Sequence, residues 1–518
     1  MFYLTTAIDY TNGAPHIGHA YEKVLADVIA RYRRLCGDEV YYLTGVDQHG
    51  QKVQQTAEKE NVNPATFAQR NTKKFIKLWE KLDVQYDGWA ETVDDRHKAC
   101  VQKILTRLHT EGQIYKKQYK GYYSVRQEQF LTDKERGEDG NFGPEWGEVE
   151  ERDEENYYFK LSEHAAWLRQ YVEANDDFVI PSFRKAEVLN AIDRAADTDL
   201  CISRPKTRLR WGIELPFDSD YVTYVWFDAL INYISFAGYL AEDGSNLPEF
   251  EKLWPANIHI LGKDILVPSH SIYWPCMLHA IGFTDAQMPS LLVHGWWNIK
   301  GEKMSKSIGN VICPSALAEQ FGPEALRYYM VRDIITGKDS NFDADRLVSI
   351  YNTELANDLG NLCNRALNMS KRSLSSIMEA SAFDDDDCTA LRQSLTQTIA
   401  NYRESMDRYD TSSALAAINQ HVSFCNGFAE RNKPWELAKD EEQRPRLAAI
   451  LYHMVESCAQ LSVLLTPVTP EACTKIQHQL RLPDLADKKL ADLQWGLIPA
   501  DHEIGKPKPV FPRIQLDD

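Results

Sequence analysis

The sequence predicts an α/β protein: a parallel-sheet domain split by an insert and followed by an α-helical bundle. Three observations predict it. The chain opens as strand, turn, helix, strand. Its periodicity then fades for about a hundred residues, and past about residue 345 the pattern becomes helical.

Residues 2–8 read as a short strand, followed by a turn containing Asn12-Gly13 and Pro15. From His16 onward, Ile17, Tyr21, Val24, Val28, Tyr32 and Leu35 recur at helical spacing, and Gly37 closes the helix. Residues 40–44 form a second strand that runs into Gly45-Val46-Asp47-Gln48-His49-Gly50. That order begins a Rossmann-like parallel sheet. From about 115 to 216 the chain is rich in Glu, Asp, Gly and Tyr and poor in long periodic segments, which reads as an insert. Strand pattern resumes at 221–226, 257–261 (followed by Gly262-Lys263-Asp264) and 291–294. Beyond 345, Leu347, Ile350, Tyr351, Leu355, Leu359, Leu362, Ala366 and Met369 form one helical stripe. The four aspartates 384–387 read as a loop between helices, and Gly505-Lys506-Pro507-Lys508-Pro509 as a non-helical tail. The expected division is 1–114 and 217–295 for the two halves of the α/β domain, with 115–216 as the insert. A connector at 296–345, a helical domain at 346–500 and a tail at 501–518 complete it.

Composition narrows the function classes. A chain of 518 residues, 43% hydrophobic and 26% charged, has material for several cores. No uninterrupted apolar run is long enough to span a bilayer, and no basic segment leads into an apolar one at the start. A cytosolic protein without a membrane partner is expected. The ten cysteines include no CxxC pair, which argues against a zinc ribbon and a disulfide framework. With 58 Lys plus Arg against 76 Asp plus Glu, the net charge of −18 argues against a non-specific nucleic-acid coat. A specific RNA partner needs only local basic surface. Arg31, Arg33 and Arg34, or Arg204, Lys206, Arg208 and Arg210, could supply it, and read equally well as solvated surface.

Two short motifs carry phosphate chemistry. His16-Ile17-Gly18-His19 sits where the first strand hands over to the first helix. A helix N-terminus favours phosphate, and Gly18 lets a nucleotide approach closely. Two imidazoles three residues apart can donate to a phosphorus centre as charge builds on it. Lys303-Met304-Ser305-Lys306-Ser307 follows the last strand, between Gly301 and Gly309, and suits a clamp on a leaving pyrophosphate. Together the two motifs resemble the joint signature of class I aminoacyl-tRNA synthetases. The resemblance implies that His16 and His19 stabilise the α-phosphoryl transition state and that Lys303 and Lys306 hold the β- and γ-phosphates. Gly18 lies in the same ATP-binding set, and Mg²⁺ arrives with the ATP.

Within that class the flanking blocks resemble the methionyl family. Residues 6–19 match its first-strand block, 44–52 its second, and 226–233 with Gly262-Lys263-Asp264-Ile265 the blocks lining its amino-acid pocket. The resemblance places Ile8, Tyr10, Trp226, Ala229, Leu230, Tyr233, Ile265, His270 and Trp274 around L-methionine, with Asp47 on its α-ammonium. Aromatic rings suit a polarizable thioether, and Tyr10 or His270 can offer a donor. One departure stands out: the stretch from Ile265 to His270 is one residue longer than the commoner family form. Relatives that activate branched aliphatic amino acids hold a large editing domain in the insert, and 115–216 is too short for one.

The segment 121–128 resembles the family's zinc knuckle, but Ser124 and Gln127 stand where zinc-bearing members have cysteines, and residues 143–146 offer none either. The expectation is a knuckle without metal. In the helical half, Asn357, Asn361 and Arg365 follow at i, i+4 and i+8 on one face, and Trp435 follows Pro434. Amide, guanidinium and indole groups read and stack unpaired bases. The family assigns these positions to the anticodon of tRNA(Met), initiator and elongator. A monomer is expected. Two alternatives stay open. One is another small class I enzyme: a cysteinyl synthetase would want a pocket zinc, and a nucleotidyltransferase would not need the helical half. The other is a non-catalytic RNA-binding relative, against which intact His16, His19, Lys303 and Lys306 speak.

Overall fold

A computed structural model of the chain describes residues 1–124, 129–131, 133, 136–137, 139–299, 302–303 and 312–515. The chain folds into two compact units, each assembled from separate stretches. Met1–Pro15, Tyr41–Lys77 and Tyr86–His294 make the first; His16–Val40, Leu78–Gln85 and Gly295–Asp518 make the second.

The chain begins with strands β1 (Phe2–Thr6) and β2 (Asp9–Tyr10), then helix α1 (Ile17–Cys36) of the second unit, then β3 (Val40–Asp47). Helices α2 (Gln51–Lys59) and α3 (Pro64–Lys81), strand β4 (Gly88–Glu91) and helix α4 (Asp95–Thr110) follow. Next come β5 (Ile114–Ser124), β6 (Gln129–Leu131), β7 (Val149–Phe159), α5 (Ser162–Ala174), β8 (Val179–Ile180) and α6 (Lys185–Ala195). Short strands β9 (Leu200–Cys201), β10 (Ser203–Pro205), β11 (Glu214–Leu215) and β12 (Asp218–Thr223) lead to helices α7 (Val225–Ala229) and α8 (Asn232–Ser235). Strands β13 (Ile258–Gly262) and β14 (Ser290–His294) complete the unit.

The main sheet runs β2-β3-β1-β13-β14-β8, with β4 also on β3. The pairs β1–β13, β13–β14, β14–β8, β2–β3 and β3–β4 are parallel. β1, β13 and the apolar part of β14 are buried along their length, as strands of a sheet covered on both faces must be. Gly45 faces Ala90 across the β3–β4 pair, and any Cβ there would fall on the Ala90 carbonyl. A β5–β7 hairpin, in register from Ile114↔Phe159 to Ser124↔Val149, dominates the insert.

Three expectations change here. The strand expected at 221–226 stops at Thr223 and belongs to a small antiparallel sheet, β10-β12-β11, while Val225–Ala229 is helix α7. A short apolar run does not distinguish strand from buried helix. Secondly, the stretch expected to be poor in regular structure contains α5 and α6, and sends β8 into the main parallel sheet. Thirdly, the aspartate run is a helix start. Asp385 caps the helix Asp386–Asp407, its carboxylate accepting from the Cys388 N–H at 2.9 Å, and Asp386 and Asp387 occupy the first turn.

In the second unit, α1 buries the expected Ile17, Tyr21, Val24, Val28, Tyr32 and Leu35. Gly37 closes it at φ +96°, its N–H bonded to the Arg33 and Arg34 carbonyls. The helical half contains Gly360–Ser373, Asp386–Asp407, Thr411–Asn432, Arg444–Leu464 and Pro470–Leu480. Of the expected stripe, Leu347, Tyr351, Leu355, Leu359, Leu362 and Ala366 are buried, whereas Ile350 and Met369 are half-buried. Between Tyr351 and Leu359 the helix winds wide, in a π-helical stretch. The segment Glu441–Leu464 is long and apolar enough to cross a membrane, but its apolar 18-residue stretch is 94% buried inside the protein, which makes it a core helix. One side chain ties distant parts together. Arg327 is fully buried; it pairs with Asp27 of α1 at 2.6 Å and donates to the carbonyls of Leu82, Val468 and Pro467 at 2.9–3.0 Å.

Candidate active site

The first turn of α1 is capped by its own histidines. The Gly18 N–H donates to His16 Nδ1 and the His16 N–H donates to His19 Nδ1, both at 3.1 Å. The rings stack at 3.7 Å and 28°. A backbone N–H can only donate, so each Nδ1 is the unprotonated nitrogen and each neutral ring carries its proton on Nε2. Two N–H donors therefore sit at the positive end of a 20-residue helix. Gly18 leaves space above them: a Cβ there would press on the His16 ring.

The residues expected to line an amino-acid pocket all lie in the first unit. Tyr10 and Asp47 are partners across the β2–β3 pair. Asp47 is buried; its Oδ1 lies 3.3 Å from the His49 N–H and 3.4 Å from the Thr92 hydroxyl, and its carbonyl accepts from the Thr11 N–H at 2.9 Å. Gly50, at φ +109°, leaves space for the Tyr10 hydroxyl, which any Cβ would strike. Trp226 meets His270 edge to face at 6.0 Å, and Tyr233 lies 5.6 Å from Trp274. The Tyr233 hydroxyl lies 2.8 Å from His270 Nε2, and His270 Nδ1 lies 2.8 Å from the Ile265 carbonyl. A carbonyl only accepts, so Nδ1 bears a proton; in the corresponding neutral tautomer Nε2 accepts from the Tyr233 hydroxyl. Trp274 in turn donates to His259 Nε2 at 3.1 Å, and His259 Nδ1 lies 2.6 Å from the Thr5 hydroxyl. Burial, and then the neighbouring His270, hold His259 well below the usual imidazole range. Ala229, Leu230, Tyr233, His270 and Trp274 are buried, whereas Ile8, Tyr10, Trp226 and Ile265 are half-buried. The extra residue before His270 falls in a wide-wound turn, Leu266–Tyr273, in which Val267 leaves helical geometry (φ −112°, ψ 130°).

The second unit holds the remaining expected residues. Lys303 lies in the short strand Glu302–Lys303, opposite Asn298; Lys306 and the rest of its motif lie outside the described residues. Asn357 is in the wide-wound stretch, and Asn361 and Arg365 are in the helix after it. Both asparagines are exposed and line a cleft of about 270 Å³ whose other wall is Pro509, Val510 and Phe511. Arg365 stacks on Trp435 at 5.4 Å and pairs with Glu430 at 2.8 Å.

Comparison with known proteins places this geometry. The profile described as "tRNA synthetases class I (M)" matches residues 2–139 and 146–367. "Anticodon binding domain of methionyl tRNA ligase" matches residues 379–518. The methionine–tRNA ligase of Enterococcus faecalis is 41% identical over all of this chain and 77% of its own length. That of Halalkalibacterium halodurans is 40% identical over all of this chain and 79% of its own length. The chain belongs to the methionyl-tRNA synthetase family. Among solved members of that family, the Mycobacterium tuberculosis enzyme in complex with methionyl-adenylate superposes with a TM-score of 0.91. It is 35% identical, with 99% of each chain covered.

Zinc-bearing methionyl-tRNA synthetases would place a ligand at position 124. Here the Ser124 hydroxyl is spent on the Trp146 carbonyl at 2.5 Å, and Gln127 lies outside the described residues. Serine and glutamine do not supply the thiolate set such a site needs. Among the described residues, Asp384, Cys388 and His453 bring possible ligand atoms within 4.8 Å of one another. Arg392 donates to both Asp384 (2.7 Å) and His453 Nε2 (2.8 Å), so a guanidinium already fills the cation's place.

The sequence motifs missed several groups of this synthetase fold. Thr92, Trp211 and His97 carry no motif, and His49 and Asp228 lie inside matched blocks without an assigned role. Asp228 is buried between His49 (2.7 Å) and His97 (2.9 Å). Burial raises its carboxyl, but His49 and then His97 outweigh that and hold it below the usual range.

Proposed function

We propose that the pocket of the first unit takes L-methionine and that the histidines of α1 take the phosphates of the ATP it reacts with. The chain is a methionine–tRNA ligase: it activates L-methionine with ATP to methionyl-adenylate and pyrophosphate, then transfers the methionyl group to the 3′ end of its tRNA. The observation that carries the pocket reading is the buried Asp47 carboxylate in register with Tyr10, in the same unit as aromatic side chains paired with one another, Tyr233 with His270 and Trp274 with His259.

Asp47 pairs with the α-ammonium. Ile8, Tyr10, Trp226, Ala229, Leu230, Tyr233, Ile265, His270 and Trp274 enclose the thioether, which gains about 0.3–1.5 kcal/mol per sulfur–aromatic contact. Because the Tyr233 hydroxyl and the His270 ring are hydrogen-bonded to each other, that pair is satisfied without a polar group from the substrate, which suits an apolar side chain. The methionine carboxylate attacks the α-phosphorus, an O–P bond forms, and the bond to the leaving pyrophosphate breaks. His16 and His19 donate from Nε2 to the α-phosphoryl oxygens, Gly18 leaves room for the nucleotide, and Lys303 and Lys306 hold the β- and γ-phosphates. Mg²⁺ carried by ATP neutralises phosphate charge. Asn357, Asn361, Arg365 and Trp435 read the anticodon of tRNA(Met), initiator and elongator.

In this reading 1–114 and 217–295 form the catalytic domain and 115–216 a connective insert without zinc. Residues 296–345 are a connector, 346–500 the anticodon-binding bundle and 501–518 its tail. The enzyme acts as a monomer in the cytosol. Amino-acid-dependent ATP–pyrophosphate exchange, measured across the twenty amino acids without tRNA, tests it. Exchange with methionine alone is expected. Exchange with another amino acid overturns the pocket, and none at all leaves a non-catalytic RNA-binding protein.

A further inference from the structure

Three residues far apart in sequence meet beside the amino-acid pocket. His49 follows β3, His97 lies in the first turns of α4, and Asp228 lies in α7. Asp228 is 1% exposed, with Oδ2 at 2.7 Å from His49 Nδ1 and Oδ1 at 2.9 Å from His97 Nε2. The other nitrogen of His97 lies 2.8 Å from the Ser235 hydroxyl, one turn beyond the pocket wall. A carboxylate only accepts, so both imidazoles donate to it and their ring orientations are fixed.

Location separates this cluster from ordinary buried glue. Asp228 sits between Trp226 and Ala229, in the helix that supplies the side-chain wall. His49 is two residues past Asp47, and its N–H lies 3.3 Å from Asp47 Oδ1. One residue therefore touches both the carboxylate assigned to the ammonium and the carboxylate buried in the wall. The same loop is held from its other side by Trp211, which donates to the Gln48 carbonyl and meets the His49 ring at 5.3 Å and 68°. Gln48 is anchored in turn, its N–H on Thr92 and its amide on Thr72, both at 2.9 Å. Asp47 ends β3, and the loop that follows it is held at Gln48 and at His49, which Asp228 orients.

We propose that Asp228 is a positioning residue of the amino-acid site, which sets the Asp47 carboxylate, through His49, in register with the side-chain wall carried on its own helix. The inference rests on the reading of Asp47 as the ammonium partner. It makes ammonium recognition and side-chain recognition depend on one carboxylate that touches neither. A displaced Asp47 loses binding in the ground state and the transition state alike, so the cost falls on KM and not on kcat.

A double-mutant cycle in methionine-dependent ATP–pyrophosphate exchange tests it. Asp47→Asn is expected to raise the methionine KM about 100-fold. Asp228→Asn, nearly isosteric, raises it about 10-fold, with kcat and the KM for ATP little changed. The double variant is no worse than Asp47→Asn alone, because Asp228 acts through Asp47. If Asp228→Asn does not fold, His97→Gln takes its place in the cycle, with a smaller rise in the same parameter. Multiplying effects, or a fall in kcat that tracks a fall in melting temperature, would reduce Asp228 to a structural role and overturn the proposal. Asp47→Asn effective with Asp228→Asn and His97→Gln both silent sinks the proposal alone. Asp47→Asn without effect sinks the reading of Asp47, and the proposal with it.

Discussion

The pocket proposed for the amino acid and the face of the helical bundle proposed for RNA use the same kinds of side chain in opposite ways. In the pocket, polar groups are paired with one another before any substrate arrives: Tyr233 with His270, Trp274 with His259, Asp228 with two imidazoles. On the bundle, Asn357 and Asn361 are exposed, and Arg365 stacks on Trp435 and pairs with Glu430, whose side chain is 62% exposed. The difference follows the ligands. A single small amino acid rewards a rigid, pre-paired cavity, because every misplaced group costs discrimination. Unstacked bases arrive on a flexible strand and reward groups free to swing onto their edges and faces.

The contrast predicts how far damage spreads, from large effects to small. Asp47→Ala leaves the substrate ammonium without its carboxylate. Methionine activation should fall by about 2–5 kcal/mol in transition-state terms, with tRNA binding unchanged in a filter-binding assay; a matching loss of tRNA affinity would break the division.

Acid should strike both units alike, since the division is one of sites and not of cores. Burial, and then the charge of His279, push His164 of the first unit down to about 4. Burial alone does the same to His421 of the second. Unfolded imidazoles take up protons near pH 6.5, while these stay neutral until about pH 4. The unfolded state therefore binds more protons in that window, and stability is lost as pH falls through it, by up to about 3 kcal/mol per histidine. Chemical denaturation at pH 7 and pH 5 measures the loss, and His421→Asn should flatten the slope for the second unit only.

Trp435→Ala should lower aminoacylation by about 1–3 kcal/mol, one stacked base, while pyrophosphate exchange stays within the error of the assay. Equal loss of both activities would mean that the indole serves the fold. The smallest effect belongs to the exposed pair. Glu430→Gln should change stability by about 0.5 kcal/mol or less, readable as a melting-temperature shift near the limit of measurement.

The sequence made the frame of the fold legible because its signals are local. Residues 2 to 50 announce strand, turn, helix and strand through period, glycine and apolar runs, and α1 buries the side chains that its spacing nominates. Several site groups were legible only as members of matched blocks; Tyr233 and His270 carry no local signal of their pairing. What stayed hidden is non-local or ambiguous. His49, His97 and Asp228 come from three elements, and no spacing links them. Val225 and Trp226 continue an apolar run that suits strand and helix equally, and tertiary packing decides for α7. The start of the helix Asp386–Asp407 was readable in principle, since an aspartate before a helical run is a capping signal. The wide turn after Leu266 had only an odd residue count to announce it.

The buried Arg327–Asp27 pair has a consequence in time. Its partners lie 300 positions apart. At about 5–20 residues per second of synthesis, α1, with Arg31 already on Asp27 at 2.8 Å, leaves the ribosome roughly 15–60 s before the second guanidinium that pairs with that carboxylate. The carbonyls of Pro467 and Val468 that share that guanidinium come later still. Through that interval Asp27 has Arg31 of its own helix at 2.8 Å and the Gln85 N–H at 2.9 Å as partners, while the apolar face of α1 waits for the later stretches of its unit. Until then that face is uncovered, and shortening the delay by circular permutation should raise the yield of folded enzyme without changing the finished molecule.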